Sequence, residues 1–236
     1  MELLHVKNVS KSFTLHVQGG IAIKVMEDVD LIVRSGEAIA LTGASGSGKS
    51  TLMRMLYGNY RCDHGSIKVH HDGDWIELAG ADPHLVMAVR RDTIGYISQF
   101  LRVIPRVPTL QVVAEPLQAR GLPNGKTMQR AADLLARLNI PEDLWSLSPV
   151  TFSGGEQQRV NIARGFAASY PIMLLDEPTA SLDANNRQTV LEMIEEARDS
   201  GAAIIGIFHD DEARQRICKQ EIKLERFSKE IKRQAS

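Results

Sequence analysis

No apolar run in this chain approaches the roughly 20 residues that a helix needs to cross a bilayer. The start, Met1-Glu2-Leu3-Leu4-His5-Val6-Lys7, lacks the charged-then-apolar pattern of a secretory leader. The expectation is a soluble, cytoplasmic protein with no membrane segment of its own, for which any membrane role needs a partner. Cysteine is scarce: Cys62 and Cys218 form neither a C-x-x-C pair nor a metal-ligand spacing. That excludes a radical-enzyme cysteine cluster and fits a reducing compartment, although two thiols could in principle pair. Charge of one sign is missing too. With 28 Lys and Arg against 29 Asp and Glu, the formal net charge is −1, so no whole-chain field draws the protein to nucleic acid or an anionic membrane. Internal repeats and low-complexity tracts are absent. What remains is ordinary globular material: 236 residues, 43% hydrophobic and 24% charged, enough for one large domain or a core with subdomains.

Against this plain background one stretch stands out. Gly43-Ala44-Ser45-Gly46-Ser47-Gly48-Lys49-Ser50 fits the phosphate-binding pattern G-x-x-x-x-G-K-[ST]. The apolar run Ala38–Leu41 before it predicts a buried strand, and Thr51–Leu56 after it predicts a helix. Glycines let the backbone turn tightly and bring successive N–H groups against phosphate oxygens. The helix adds the positive end of its dipole. Lys49 supplies a point charge for the outer phosphates, and Ser50 a hydroxyl for Mg²⁺.

The rest of the chain alternates strands and helices. Leu4–Val6, Ala22–Val25 and Val29–Val33 predict short strands, with Gly19-Gly20 and Ser35-Gly36-Glu37 as turns. Gly65–Val69 and Asp74–Leu78 predict a hairpin around His71-Asp72-Gly73. Pro83–Arg91 reads as a short helix and Thr93–Ser98 as a buried strand. From Thr109 to Leu147 the period turns helical: Leu110, Val113 and Leu117 share a face, as do Leu134, Leu135 and Leu138. Ile172–Leu175 and Ala202–Phe208 predict central parallel strands, and Arg187–Arg198 an amphipathic helix. The charged stretch from Glu212 to Ser236 reads as partly helical. The expected fold is α/β, a mainly parallel core sheet with nucleotide at the strands' carboxyl ends.

A phosphate loop needs a metal-side acid. Leu174-Leu175-Asp176-Glu177 provides an apolar strand ending in two. Asp176 is placed to hold Mg²⁺ directly or through water, and Glu177 to polarise the attacking water. Further on, Thr151-Phe152-Ser153-Gly154-Gly155-Glu156-Gln157-Gln158-Arg159 offers a hydroxyl and bare backbone N–H groups at a helix start, a second anion site.

That last stretch, followed by an Ala-rich helix, resembles the signature of ABC-type ATPases, and the resemblance covers residues 1 to about 212. It implies a P-loop NTPase fold as a single domain over 1–236: a core with an antiparallel β subdomain from 1–99 and 161–236, and a helical subdomain over 100–160. It implies ATP and Mg²⁺ as cofactors, with Gly43–Thr51 holding the nucleotide and Phe13 stacking on adenine. Ser50, Gln99 and Asp176 would hold the metal, and Glu177, His209 and Gln99 would act in hydrolysis. Ser153, Gly154, Gly155 and Asp183 would reach a nucleotide held by the opposite subunit, so the partner is a second ABC subunit, the same chain or a related one.

Finer stretches point further. Tyr57–Tyr60, His71–Leu78, Ser98–Arg106, Thr151–Phe166 and Gly206–Asp210 are similar to the second ATP-binding protein of the bacterial carbon–phosphorus lyase system for phosphonate use. That implies a soluble lyase complex as partner, with ribose triphosphonate formation and C–P cleavage as the supported path. The alternative is the ATPase of a lipoprotein-release or macrolide-type exporter, whose membrane partner inserts a short helix at Phe100–Val107. There Arg102 and Arg106, with Pro105 and Pro108, make a basic, stiff surface. A third class is a non-transport ABC scaffold whose nucleotide-bound dimer only binds partners; an intact Glu177 argues against a dead ATPase but not against slow turnover. A DNA-repair ATPase is disfavoured because no long coiled-coil insertion precedes Ser153. The basic run from Arg214 to Arg233 exceeds what the phosphonate subgroup leads one to expect, and reads as a solvated face or a docking surface.

Overall fold

The computed structural model describes residues 1–15, 21–102 and 104–225. It contains two sheets. The first is antiparallel, in the order β2-β1-β4-β5, built from β1 (Glu2–Leu15), β2 (Ile21–Arg34), β4 (His64–His71) and β5 (Asp74–Glu77). The second is parallel, in the order β6-β7-β8-β3-β9. Its strands are β3 (Ala38–Thr42), β6 (Ile94–Ile97), β7 (Ile172–Asp176), β8 (Ala203–Ile207) and β9 (Gln220–Lys223). Every residue of β7 and β8 is buried, as befits central strands covered on both faces. Each large aliphatic side chain there contributes about 1.5–3 kcal/mol by leaving water.

Helix α1 (Lys49–Leu56) lies between the two sheets, burying Leu52, Met53, Met55 and Leu56. The opposite face of the parallel sheet packs on α3 (Thr109–Gln118), α4 (Asn124–Arg137), α5 (Gly154–Gly165) and α6 (Ala184–Asp199). The predicted Leu134, Leu135 and Leu138 all sit in that second core. Helices α2 (Pro83–Asp92) and α7 (Asp211–Ile217) complete the fold.

Two expectations are corrected. The three short strands before residue 35 are two strands of 14 residues each. Register shifts between Val6 and Lys11, with left-handed residues at Asn8 (φ 50°) and Asp28 (φ 47°), break the alternation that reveals a strand in sequence. Among its described residues, 212–225, the charged C-terminal stretch is helical as far as Ile217. Gln220–Lys223 is then an edge strand beside β3, partly burying only Ile222, and edge strands carry charge at no cost to a core. The predicted turn at Gly19-Gly20 and the basic positions Arg226, Lys229, Lys232 and Arg233 lie outside the described residues.

Candidate functional site

The carboxyl ends of β3, β6, β7 and β8 share one edge of the parallel sheet, and each delivers one part of the site. From β3 the chain turns through Gly43 to Gly48 into α1. Gly43 (φ 134°), Gly46 (φ 77°) and Gly48 (φ 93°) are all in the left-handed half of backbone space, where a Cβ is strained. At Gly43 a Cβ would also lie 2.3 Å from the Leu224 carbonyl oxygen. Lys49 curls back so that its Nζ donates to the carbonyls of Gly43 at 2.8 Å and Ala44 at 3.0 Å. Ala44, Ser45 and Gly46 are exposed at the crown, Ser50 is exposed in the first helical turn, and Thr51 is half-buried.

Two observations say what this cradle fits. The first turn of α1 has no side-chain cap, so its N–H groups are free to meet an anion. The Ser47 hydroxyl is buried and has no hydrogen-bond partner, a cost that a phosphate oxygen would relieve. A phosphate chain with a bound cation suits these groups: the loop and Lys49 could take the phosphates, and Ser50 and Asp176 are oxygen donors of the kind that could take the metal.

The strand ends β6, β7 and β8 bring Gln99, Glu177 and His209 together. Gln99 Nε2 donates to Glu177 Oε2 at 3.0 Å, and His209 Nε2 lies 2.6 Å from Glu177 Oε1. Glu177 itself is left-handed, at φ 55°, with its N–H donating to the Ile207 carbonyl at 3.0 Å. A non-glycine residue there costs of order 1–3 kcal/mol, and that turn aims the carboxylate between Gln99 and His209. The seat of Gln99 is fixed from α5: Asn161 Nδ2 donates to the Ser98 carbonyl at 2.6 Å.

Asp176 is buried at the end of β7. Desolvation pushes its carboxyl above the usual range, against a hydrogen bond from Tyr96. Burial raises the Tyr96 phenol as well, reinforced by the Asp176 charge. Phe13 stands near the end of β1, with its ring edge-on to Tyr60 at 5.5 Å and the Lys11 ammonium 5.3 Å from its centroid.

The remaining predicted residues are gathered elsewhere in the chain. Ser153 and Glu156 form a capping box at the start of α5. The Ser153 hydroxyl donates to Glu156 Oε2 at 2.6 Å, and its N–H to the same oxygen at 2.9 Å. These bonds hold the Glu156 carboxyl below its usual range. Gly154 is exposed, while a Cβ on Gly155 would meet the Ser181 carbonyl at 3.2 Å. Asp183 caps α6: it accepts from the Asn186 N–H at 2.9 Å and from Asn186 Nδ2 at 2.6 Å, bonds that lower its own carboxyl. Among the described residues no hydrogen bond or ion pair joins Ser153–Gly155 to Gly43–Ser50.

Sequence reasoning missed Tyr60 and Tyr96. For Tyr96 a signal existed: it is the one hydroxyl-bearing side chain inside the otherwise apolar Ile94–Ile97.

Beside Gln99 the surface forms a groove of about 520 Å³ lined by Arg102, Ile104, Val107, Gln111 and Gln118. Ile104 in its lining is 74% exposed, and Phe100, which follows Gln99 in the chain, is 69% exposed. A second cleft of the same size, lined by Tyr57, Met87, Arg90, Tyr96 and Tyr170, adjoins it through the Glu115–Arg164 ion pair at 2.9 Å.

A family profile described as ABC transporter matches residues 26–180. A macrolide export ATP-binding/permease protein, MacB of Nitrosomonas europaea, is 40% identical over 188 residues, 80% of this chain but only 28% of its own length. The chain therefore spans less than a third of that relative. An ABC transporter ATP-binding protein, YtrE of Bacillus subtilis, is 34% identical over 89% of this chain and 90% of its own. Among solved structures, a dimeric post-hydrolysis state of the ATP-binding cassette MJ0796 bound to ADP and Pi is 27% identical, covering 99% of this chain and all of that one, with a TM-score of 0.85.

Proposed function

This chain belongs to the ABC transporter family, as an ATP-hydrolysing cassette that takes ATP and Mg²⁺, and on that premise we propose that it works as half of an ATP-sandwich dimer whose closure drives a docked partner. The observation that carries this reading is the meeting of Gln99, Glu177 and His209 at one sheet edge, beside an uncapped phosphate loop. Phe13 stacks on the base; Gly43–Thr51 grips the phosphates. Ser50, Gln99 and Asp176 would hold Mg²⁺, which when bound would neutralise charge on the outer phosphates. Glu177 accepts a proton from the attacking water, and His209 and Gln99 orient its two oxygens. The second subunit supplies Ser153, Gly154, Gly155 and Asp183. Its arrival requires the Ser153 hydroxyl to exchange Glu156 for a phosphate oxygen.

Glu177→Gln keeps the size of the side chain and removes the base. It should leave ATP binding intact and slow phosphate release about 10²–10⁴-fold. Size-exclusion chromatography with ATP should then show an accumulated dimer. A hydrolysis rate within threefold of the parent overturns the role given to Glu177.

For the partner, the names carried by relatives that match four-fifths or more of the chain support an exporter-type reading, with a membrane subunit seated in the groove beside Gln99. No helix among the described residues is long and apolar enough to cross a membrane, so on this reading the permease is a separate or appended part. The phosphonate reading, with a soluble carbon–phosphorus lyase complex as partner, rests on the resemblance of stretches such as Ser98–Arg106 to that subgroup, and the relatives named above do not add to it. Of that stretch, Arg102 and Ile104 line the groove, with Ile104 exposed. Affinity purification from native membranes and cytosol separates the two. Recovery of an integral membrane permease supports the first, and recovery of soluble lyase subunits supports the second.

A further inference from the structure

Among the described residues, one side chain donates a hydrogen bond to the Asp176 carboxylate: Tyr96, whose hydroxyl reaches Oδ2 at 3.2 Å. The contact follows from strand register. Tyr96 on β6 lies opposite Leu174 on β7. Side chains alternate along a strand, so Asp176 occupies the same face two residues further on. The phenol is long enough to lean along the sheet and meet it.

The other side of the Tyr96 ring is held as well. It packs on Tyr57, with centroids 5.1 Å apart. Tyr57 lies beneath the Arg90 guanidinium at 4.7 Å, and Arg90 is pinned by Nε to the Tyr57 carbonyl at 2.8 Å and by Nη2 to Asn59 Oδ1 at 2.7 Å. A ring gripped in this way presents its hydroxyl at a fixed point.

We propose that Tyr96 is a positioning residue for metal binding: its hydroxyl fixes the plane of the Asp176 carboxylate, committing one oxygen and leaving the other for Mg²⁺. The proposal rests on the reading of Asp176 as the metal-side carboxylate. A carboxylate at a strand end otherwise rotates about its last bond, and ordering it on each binding event weakens the metal. Outer partners of this kind contribute about 10–100-fold in metal affinity elsewhere.

Tyr96→Phe removes the hydroxyl and keeps the ring on Tyr57. The test uses the full chain in the Glu177→Gln background, with saturating ATP and Mn²⁺ as the probe, its binding read by electron paramagnetic resonance. Tyr96→Phe should weaken Mn²⁺ binding about 10-fold. ATP affinity in EDTA should be unchanged, measured by calorimetry. Asp176→Asn should weaken Mn²⁺ at least as much, and adding Tyr96→Phe to it should cost nothing more. Mn²⁺ binding within twofold of the parent in Tyr96→Phe, alongside a clear loss in Asp176→Asn, overturns the proposal and leaves the reading of Asp176 intact. Unchanged Mn²⁺ binding in Asp176→Asn overturns both. Equal losses of metal-free ATP binding and Mn²⁺ binding in Tyr96→Phe point to a merely structural tyrosine and also overturn it.

Discussion

Gly165→Ala asks how firmly the helix that carries the Ser153 turn is seated on the strand that carries Gln99. A Cβ at Gly165 would fall 2.3 Å from Ile97 Cγ1 and 2.6 Å from its Cδ1. Ile97 is fully buried, so its side chain has no space to swing into. Overpacking of this kind costs about 1–3 kcal/mol. The alanine regains at most about 1 kcal/mol of helix propensity, less at the last helical position. A net loss of roughly 1–2 kcal/mol lowers Tm by about 2–8 °C in a chain of this size.

The strain falls on β6 two residues before Gln99, so turnover should drop by about 10-fold or more through misplacement of the Gln99–Glu177 contact. The decisive assay is a thermal-melt double-mutant cycle with Ile97→Ala, which deletes both clashing atoms. Ile97→Ala alone should cost about 2–5 kcal/mol. In that background Gly165→Ala should become neutral or stabilising. A coupling below about 0.5 kcal/mol would refute the reasoning, because the two positions would then not share the contact.

Glu156 sets a pH limit on the Ser153 turn. Its folded carboxyl lies below the ordinary value of 4.5, so its stabilising contribution is present above that value and is lost as pH falls through the folded value. Melts of the parent and Glu156→Gln should therefore differ above that range and converge below it, and a difference that persists unchanged to pH 3 refutes the assignment. Cys218 is buried and its thiol is pushed up to about 12, leaving about one molecule in 10⁴ as thiolate at pH 8. Mass spectrometry after brief alkylation of the folded protein should find label on Cys62 and not on Cys218, whereas comparable labelling of both would contradict the packing.

Much of the site was legible because its chemistry demands fixed spacing. Gly43–Ser50 and Asp176-Glu177 are contiguous, and the strands that present them are short apolar runs. Gln99 and His209 were placed only by family likeness. What joins them to Glu177 is the sheet order β6-β7-β8, which neither local sequence carries. The long first hairpin was read as fragments because its bulges interrupt alternation, and β9 was hidden because an edge strand of Gln220, Glu221 and Lys223 looks like solvated helix. Tyr96 escaped because its partner is 80 residues away. The internal commitments of Ser153 to Glu156 and of Asp183 to Asn186 were equally invisible, since a capping side chain and a ligand-binding one use the same atoms.

The small bonds around Asn186 carry one more implication. Asn139, which follows α4, donates through Nδ2 to Asn186 Oδ1 at 3.0 Å, while Asn186 grips Asp183 and Gly155 abuts the Ser181 carbonyl. The 181–183 loop is thereby tied through Asn186 to the end of α4, while the Ser153 turn lies close beside it and keeps its own capping box. On the proposed dimer, a second subunit would meet two teeth on one face, one anchored by side-chain bonds to the helix end behind it and the other held by its own cap and by close packing.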